Sequence, residues 1–260
     1  MAESKLYFRN QDGMMLCGVI AKAALPTTKC VLLCHGLTGT GKAGEVFDEL
    51  ARQLAEAGIA SFRFDFRGHG ESEGNYNDIT LTGEKRDIEA AFSFVKPMGY
   101  RNLGILGASF AAGPVCFYLR ENPGIAKALA FWNPILEYSW LFDSGSPWPR
   151  TNFGPDAMSK LRRQGYIDIG KYQLKIGQSF INEMNWLRPL DCARNIAAPT
   201  LFVHGDKDNT VPYDYSARYA RLFKDTQIAT VAGGDHGFHD SLLSTEGAVE
   251  ATKKFFIEKL

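Results

Sequence analysis

The chain has 260 residues, with Lys plus Arg and Asp plus Glu balanced at 29 each and 45% hydrophobic residues. That balance leaves no global field for nucleic acid or an anionic membrane surface. The length suits one α/β domain with an insertion, and no apolar run approaches the ~20 residues of a membrane span. Five cysteines (Cys17, Cys30, Cys34, Cys116 and Cys192) form no C-x-x-C pair and lie mostly in apolar, strand-like contexts. They predict buried free thiols; with a polar Met1–Asn10 that lacks a signal core, they point to a cytoplasmic protein.

Lys5–Arg9 and Met14–Ala21 flank Asn10-Gln11-Asp12-Gly13 and read as an antiparallel hairpin, because Asp-Gly between strand-like runs is a strong turn signal. From there strands and helices alternate. Strand-like runs fall at Lys29–Cys34, Ile59–Asp65, Leu103–Ala108, Ala126–Trp132, Thr200–His204 and Gln227–Val231. Helical stretches fall near Val46–Ala57, Glu84–Val95, Phe110–Arg120, Tyr213–Leu222 and Ala248–Lys259. The alternation predicts a doubly wound, mostly parallel sheet in an α/β fold. Residues 1–132 and 192–260 form the expected core, and 133–191, which offers no clear strand, is expected to be a helical lid. Three of the four tryptophans lie in this insertion.

Gly107-Ala108-Ser109-Phe110-Ala111 joins an apolar strand to a helix, with small residues two before and two after a serine at the apex. Such a turn lifts a hydroxyl clear of the sheet as a nucleophile. An acid and a base follow in the order this chemistry needs: Asp208 in the loop after Thr200–His204, and His236 in the loop after Gln227–Val231. Loops at one edge of a parallel sheet converge in space although they are far apart in sequence.

With His35-Gly36-Leu37-Thr38 and Asp65-Phe66-Arg67-Gly68-His69-Gly70-Glu71-Ser72, five segments resemble the α/β-hydrolase superfamily. Within it the chain looks most like small bacterial carboxylesterases of the cinnamoyl and feruloyl esterase kind, filed with lysophospholipase-like and serine-aminopeptidase-like hydrolases. The resemblance implies a triad of Ser109, His236 and Asp208 and an oxyanion hole from the backbone N–H groups of Phe110 and Leu37, with Gly36 or Thr38 as alternatives to Leu37 in that turn. It implies cleavage of a small-molecule ester, aryl or hydroxycinnamoyl esters included, through an acyl-enzyme. No cofactor and no metal are expected, and a homodimer is left open. Phe110 and Ala111 depart from the esterase elbow and resemble acyl thioesterases, which keeps a thioester leaving group in play. An amino-terminal peptidase would need Glu137, Asp143 or Glu183 turned inward to hold an ammonium group, and a non-catalytic binding module would not need three competent triad residues.

Lid aromatics Trp140, Trp148, Tyr166, Tyr172 and Trp186 are the candidate substrate-binding residues, since an insertion after Trp132 emerges on the active-site edge. Asp206 and His239 are weaker candidates for acid and base, and Asp235 reads as a turn-forming carboxylate. His35 and His204 are expected to hold loops, and Arg67 with His69 to lock a Gly-rich turn. Gly39, Gly41 and Gly44 around Lys42 lack phosphate-loop spacing.

Overall fold

The computed structural model describes residues 2–40, 44–139, 156–169 and 174–260. The chain starts with β1 (Ala2–Arg9) and β2 (Met15–Lys22), an antiparallel pair whose turn is tied by Asn10. The Asn10 Oδ1 accepts from the N–H groups of Asp12 (3.0 Å) and Met14 (2.9 Å), while Gly13 takes φ +85°. Then follow β3 (Lys29–Cys34), α1 (Gly44–Glu56), β4 (Ala60–Phe64), α2 (Leu81–Val95), β5 (Asn102–Ala108), α3 (Ala112–Glu121) and β6 (Ala128–Trp132). The insertion contributes α4 (Ala157–Gln164), β7 (Tyr166–Ile169), β8 (Leu174–Gly177) and α5 (Gln178–Trp186). The chain closes with β9 (Thr200–Gly205), α6 (Tyr213–Ala220), β10 (Thr226–Val231) and α7 (Leu242–Lys259).

The main sheet runs β1-β2-β4-β3-β5-β6-β9-β10, antiparallel at β1, β2 and β4 and parallel from β4 onward. Side-chain alternation along each strand splits the core in two. Val31, Leu33, Leu106, Ala130 and Val203 pack with α1 and α7, whereas Leu32, Phe62, Ile105, Phe131 and Phe202 pack with α2, α3 and α6. Burial of both faces explains why the central strands read as continuous apolar runs.

The expectation of an insertion without strands needs correction. β7 and β8 form a two-stranded antiparallel ribbon, with Ile167 and Ile176 as cross-strand partners and Ile167, Ile169 and Ile176 buried. Four residues per strand is too short a run for period-2 patterning to stand out from its surroundings. α2 and α7 also start earlier than their apolar periodicity suggests. The side chains of Thr80 and Ser241 accept from the N–H groups of Gly83 and Ser244 and so cap them at Leu81 and Leu242. All five cysteines are buried free thiols. No helix among the described residues is long and apolar enough to cross a membrane.

Candidate active site

The β5–α3 junction turns through Ser109–Ala111, with Ser109 at φ +53°. A Cβ on Gly107 would lie 3.2 Å from Val115 and 3.3 Å from Ala112, so strand and helix meet this closely only across a glycine. Ala111 is buried and tolerated, since the positive φ falls on the serine rather than two residues later. Ser109 Oγ lies 2.9 Å from His236 Nε2, and His236 Nδ1 lies 2.8 Å from Asp208 Oδ2. The structure thus brings together the three residues, drawn from loops after β5, β9 and β10.

Asp208 is fully enclosed and richly partnered. Its Oδ1 accepts from the N–H groups of Thr210 and Val211, both at 2.8 Å, and its Oδ2 also faces His204 Nε2 at 3.2 Å. Burial by itself raises this carboxyl, but hydrogen bonds from His204 and His236 and the backbone outweigh burial and hold it well below the usual carboxylate range. His204, fully buried, is steadied by Ser216 Oγ at 2.6 Å from its Nδ1. Asp206 instead accepts from Gly233 N–H (2.7 Å), and Asp235 accepts from the N–H groups of Gly237 (3.1 Å) and His239 (3.0 Å). Both carboxylates shape turns. His239 is exposed at the rim of the cavity and shows no bond to Ser109.

The turn after β3 lies beside Ser109, as a Cβ on Gly36 would sit 3.1 Å from the Ser109 Cβ. Two histidines hold it. His35 Nδ1 donates to the Gly36 carbonyl (2.8 Å) while its Nε2 accepts from Phe66 N–H (3.1 Å), which fixes the neutral tautomer. Burial, helped by neighbouring His69, keeps the His35 imidazole well below its usual range. The Leu37 carbonyl receives His69 Nε2 at 2.9 Å and the Tyr76 hydroxyl at 2.8 Å. Because peptides are planar, pinning the carbonyls of Gly36 and Leu37 also sets the direction of the N–H groups that follow them. His69 is presented by a self-locked loop. Arg67 is paired with buried Asp87 (2.8 Å), and Asp65 accepts from Glu71 N–H (2.8 Å).

A cavity of about 190 Å³ opens above Ser109, walled by Leu37, Val46, Phe47, Phe110, Trp132, Ile135 and Phe238, with Thr38, Thr210 and His239 at polar positions. Trp132 meets Phe47 and Phe238 edge-on at 5.4 and 5.5 Å, and its indole N–H donates to Thr252 Oγ1 on α7 at 2.8 Å. The aromatic wall therefore comes from β6, α1 and the His236 loop, which sequence reasoning did not single out. The nearest signal was position: Trp132 ends a strand at the active-site edge.

Two of the five proposed lid residues fall elsewhere. Tyr166 is half-buried on β7 under Lys175, Trp186 is 63% exposed, and neither lines the cavity. Trp140, Trp148 and Tyr172 lie outside the described residues. Two described residues of the insertion meet the elbow from behind: buried Phe180 packs on Phe110 at 5.8 Å and Tyr138 stacks on it at 6.2 Å. Glu137 is engaged by Arg218 (3.2 Å) and Glu183 by Thr82 N–H (3.0 Å); Asp143 lies outside the described residues. No group of three or more His, Cys, Asp or Glu side chains among the described residues could hold a metal ion.

A family model described as serine aminopeptidase, S33, matches residues 26–242. Serine hydrolase BPHL of Mus musculus is 23% identical over 224 residues, which span 80% of this chain and 73% of the mouse protein. AB hydrolase superfamily protein YisY of Bacillus subtilis is 22% identical over 232 residues, 80% of this chain and 84% of its own. Among solved structures, Est1E from Butyrivibrio proteoclasticus, with ferulic acid bound, superposes with a TM-score of 0.83 at 24% identity and covers 98% of both chains. A family match over most of the chain, on a sheet of this order, makes the protein an α/β-hydrolase and a member of the family described as serine aminopeptidase, S33.

Proposed function

We propose that the protein is a carboxylic-ester hydrolase that works through an acyl-enzyme on Ser109. The observation that carries this reading is the unbroken hydrogen-bond path from Ser109 through His236 to Asp208 at the foot of an apolar cavity. His236 Nε2 takes the Ser109 proton as Oγ bonds to the ester carbonyl carbon. Charge on the carbonyl oxygen is met by the N–H of Phe110, at the start of the α3 turn, and by that of Leu37, in the turn braced by His35, His69 and Tyr76. The intermediate then collapses and expels the alcohol, which leaves with the proton from His236. Water, deprotonated by the same imidazole, attacks the acyl-Ser109 ester, and the carboxylic acid departs as His236 returns that proton to Ser109 Oγ. Asp208 keeps the Nδ1–H tautomer throughout and stabilises the imidazolium.

The cavity size supports a small acyl group. About 150 Å³ accommodates benzene, so about 190 Å³ suits an aromatic ring with a short tether or a short aliphatic acyl chain. Phe47, Trp132 and Phe238 supply the apolar contact, and Tyr138 and Phe180 back Phe110. Among the described candidates for an ammonium site of the amino-terminal peptidase kind, Glu137 and Glu183 have other partners, which speaks against these two. The five buried thiols support a reducing, cytoplasmic setting.

A matched panel tests this reading: p-nitrophenyl acetate, an aryl ester, the corresponding thioester and an aminoacyl p-nitroanilide. Faster turnover of the oxygen esters supports it. Preference for the thioester would move the assignment to a thioesterase, and preference for the anilide would move it to a peptidase.

A further inference from the structure

Three non-glycine residues among those described have positive φ, and all three are at this site: Ser109 (+53°), Asn133 (+43°) and Phe238 (+56°). Strained backbone of this kind persists only where its surroundings hold it, and it concentrates at functional sites. The nucleophile elbow accounts for Ser109, and the packing of Phe238 against Trp132 accounts for the third. Asn133 has no chemical role in the proposed reaction. It is the first residue after β6, it is buried, and it belongs to none of the motifs that define the triad.

Its contacts join the loops that the triad depends on. The Asn133 Oδ1 accepts from Gly205 N–H (3.0 Å), at the end of the strand that leads to Asp208, and its Nδ2 donates to the carbonyl of His236 (2.5 Å). The Nδ2 also lies 3.4 Å from the Asp235 carbonyl, so the partners are backbone groups of fixed character, one donor and two acceptors, and a single amide orientation satisfies them. Its own N–H donates to the Val203 carbonyl (3.0 Å), and two residues on, Ile135 N–H donates to the Ser109 carbonyl (3.1 Å). One short segment thereby ties the serine elbow, the acid strand and the base loop to one another.

Resting on the hydrolase reading above, we infer that Asn133 is a positioning residue: its carboxamide holds the His236 main chain at the height that keeps Nε2 within reach of Ser109 Oγ. Asparagine suits the position because it tolerates left-handed backbone and carries a donor and an acceptor on a short side chain. Aspartate keeps the acceptor for Gly205 but sets an oxygen against the His236 carbonyl. Glycine relieves the backbone and deletes both contacts.

The test compares wild type with Asn133→Gly and Asn133→Asp in two readouts. One is the second-order rate of fluorophosphonate attachment to Ser109, which reports base-assisted nucleophilicity whatever the natural substrate. The other is kcat and KM on p-nitrophenyl acetate, with the melting temperature recorded for each variant. A small misplacement of a catalytic group costs up to about 100-fold, so labelling and kcat should fall together by about 10- to 100-fold while KM stays within about threefold. Wild-type labelling rates in either folded variant would overturn the inference, and so would a loss spread equally between KM and kcat. An Asn133→Gly protein that no longer folds overturns it as well, because the amide would then hold the fold rather than the base. If wild type itself is not labelled at Ser109, the hydrolase reading is what fails, and a labelled wild type beside equally labelled variants rejects only the role of Asn133.

Discussion

Asp208→Asn removes a charge and one acceptor while keeping the shape, and the surroundings dictate where the new amide must point. Oδ1 is bonded by the N–H groups of Thr210 and Val211, which have no other state, so that position must stay a carbonyl oxygen. The amide nitrogen is therefore forced onto the Oδ2 side, facing His236 Nδ1 and His204 Nε2. His204 cannot accept there, because its Nε2 proton also serves the Val211 carbonyl at 3.1 Å. His236 must then present a bare Nδ1 and carry its proton on Nε2, the atom that has to receive the proton of Ser109. Such a tautomer reversal costs about 10⁴ in kcat in a serine-protease triad, equivalent to about 5 kcal/mol of barrier. Steady-state hydrolysis of p-nitrophenyl acetate gives the number directly. Asp206→Asn, whose amide oxygen still accepts from the Gly233 N–H, should remain within about fivefold of wild type, as a change remote from the reacting atoms does. Asp208→Asn activity above about a tenth of wild type, or greater damage from Asp206→Asn, would refute the reasoning, which rests on the size of that reversal.

Phe47→Leu should widen the cavity and change the rate ratio between a bulky aryl ester and an acetyl ester by about 10-fold, the worth of one apolar pocket contact. Tyr166→Ala and Trp186→Ala should leave that ratio unchanged; a shift from either would restore these residues to the substrate site. Burial, with Asp87 and Glu183 adding to it against Arg67, pushes the Glu84 carboxyl up to about 8. Its unfolded value is near about 4.3, so between the two the folded state holds a proton that the unfolded state has lost, and stability declines as pH rises through this window. Glu84→Gln should remove that decline, so its melting temperature should gain on wild type from pH 5 to pH 8; a difference constant with pH would contradict the assignment. Asp208 runs the other way. Its depressed carboxyl contributes stability above its unfolded value of about 3.9 that is lost as pH falls, so acid unfolding should begin at lower pH in Asp208→Asn than in wild type.

Much of the architecture was legible because both signals that encode it are local. Doubly buried strands such as Lys29–Cys34 are continuous apolar runs, and Asp12-Gly13 and the Ser109 elbow require particular residue types at particular turns. Asp206 is the weaker acid candidate for a reason now visible: the loop turns its carboxylate toward Gly233 and that of Asp208 toward His236. What escaped was non-local. Whether an aromatic faces substrate depends on which element it stands on, and the cavity wall is built from Phe47, Trp132 and Phe238 in the core rather than from Tyr166 or Trp186. Asn133 carried a faint signal, an asparagine directly after a strand, but its meaning depends on loops that lie more than 70 residues further along the chain.

The most direct test of the central claim is to trap the acyl-enzyme. Wild type mixed with excess p-nitrophenyl acetate, quenched in acid during the burst and digested, should carry one acetyl group per chain on the peptide that contains Ser109. Ser109→Ala should fold normally, carry none and lose turnover by about 10⁶-fold, the scale for deletion of a triad nucleophile. Acetyl groups on Ser72 or Ser93, or ester turnover that survives Ser109→Ala, would contradict the account.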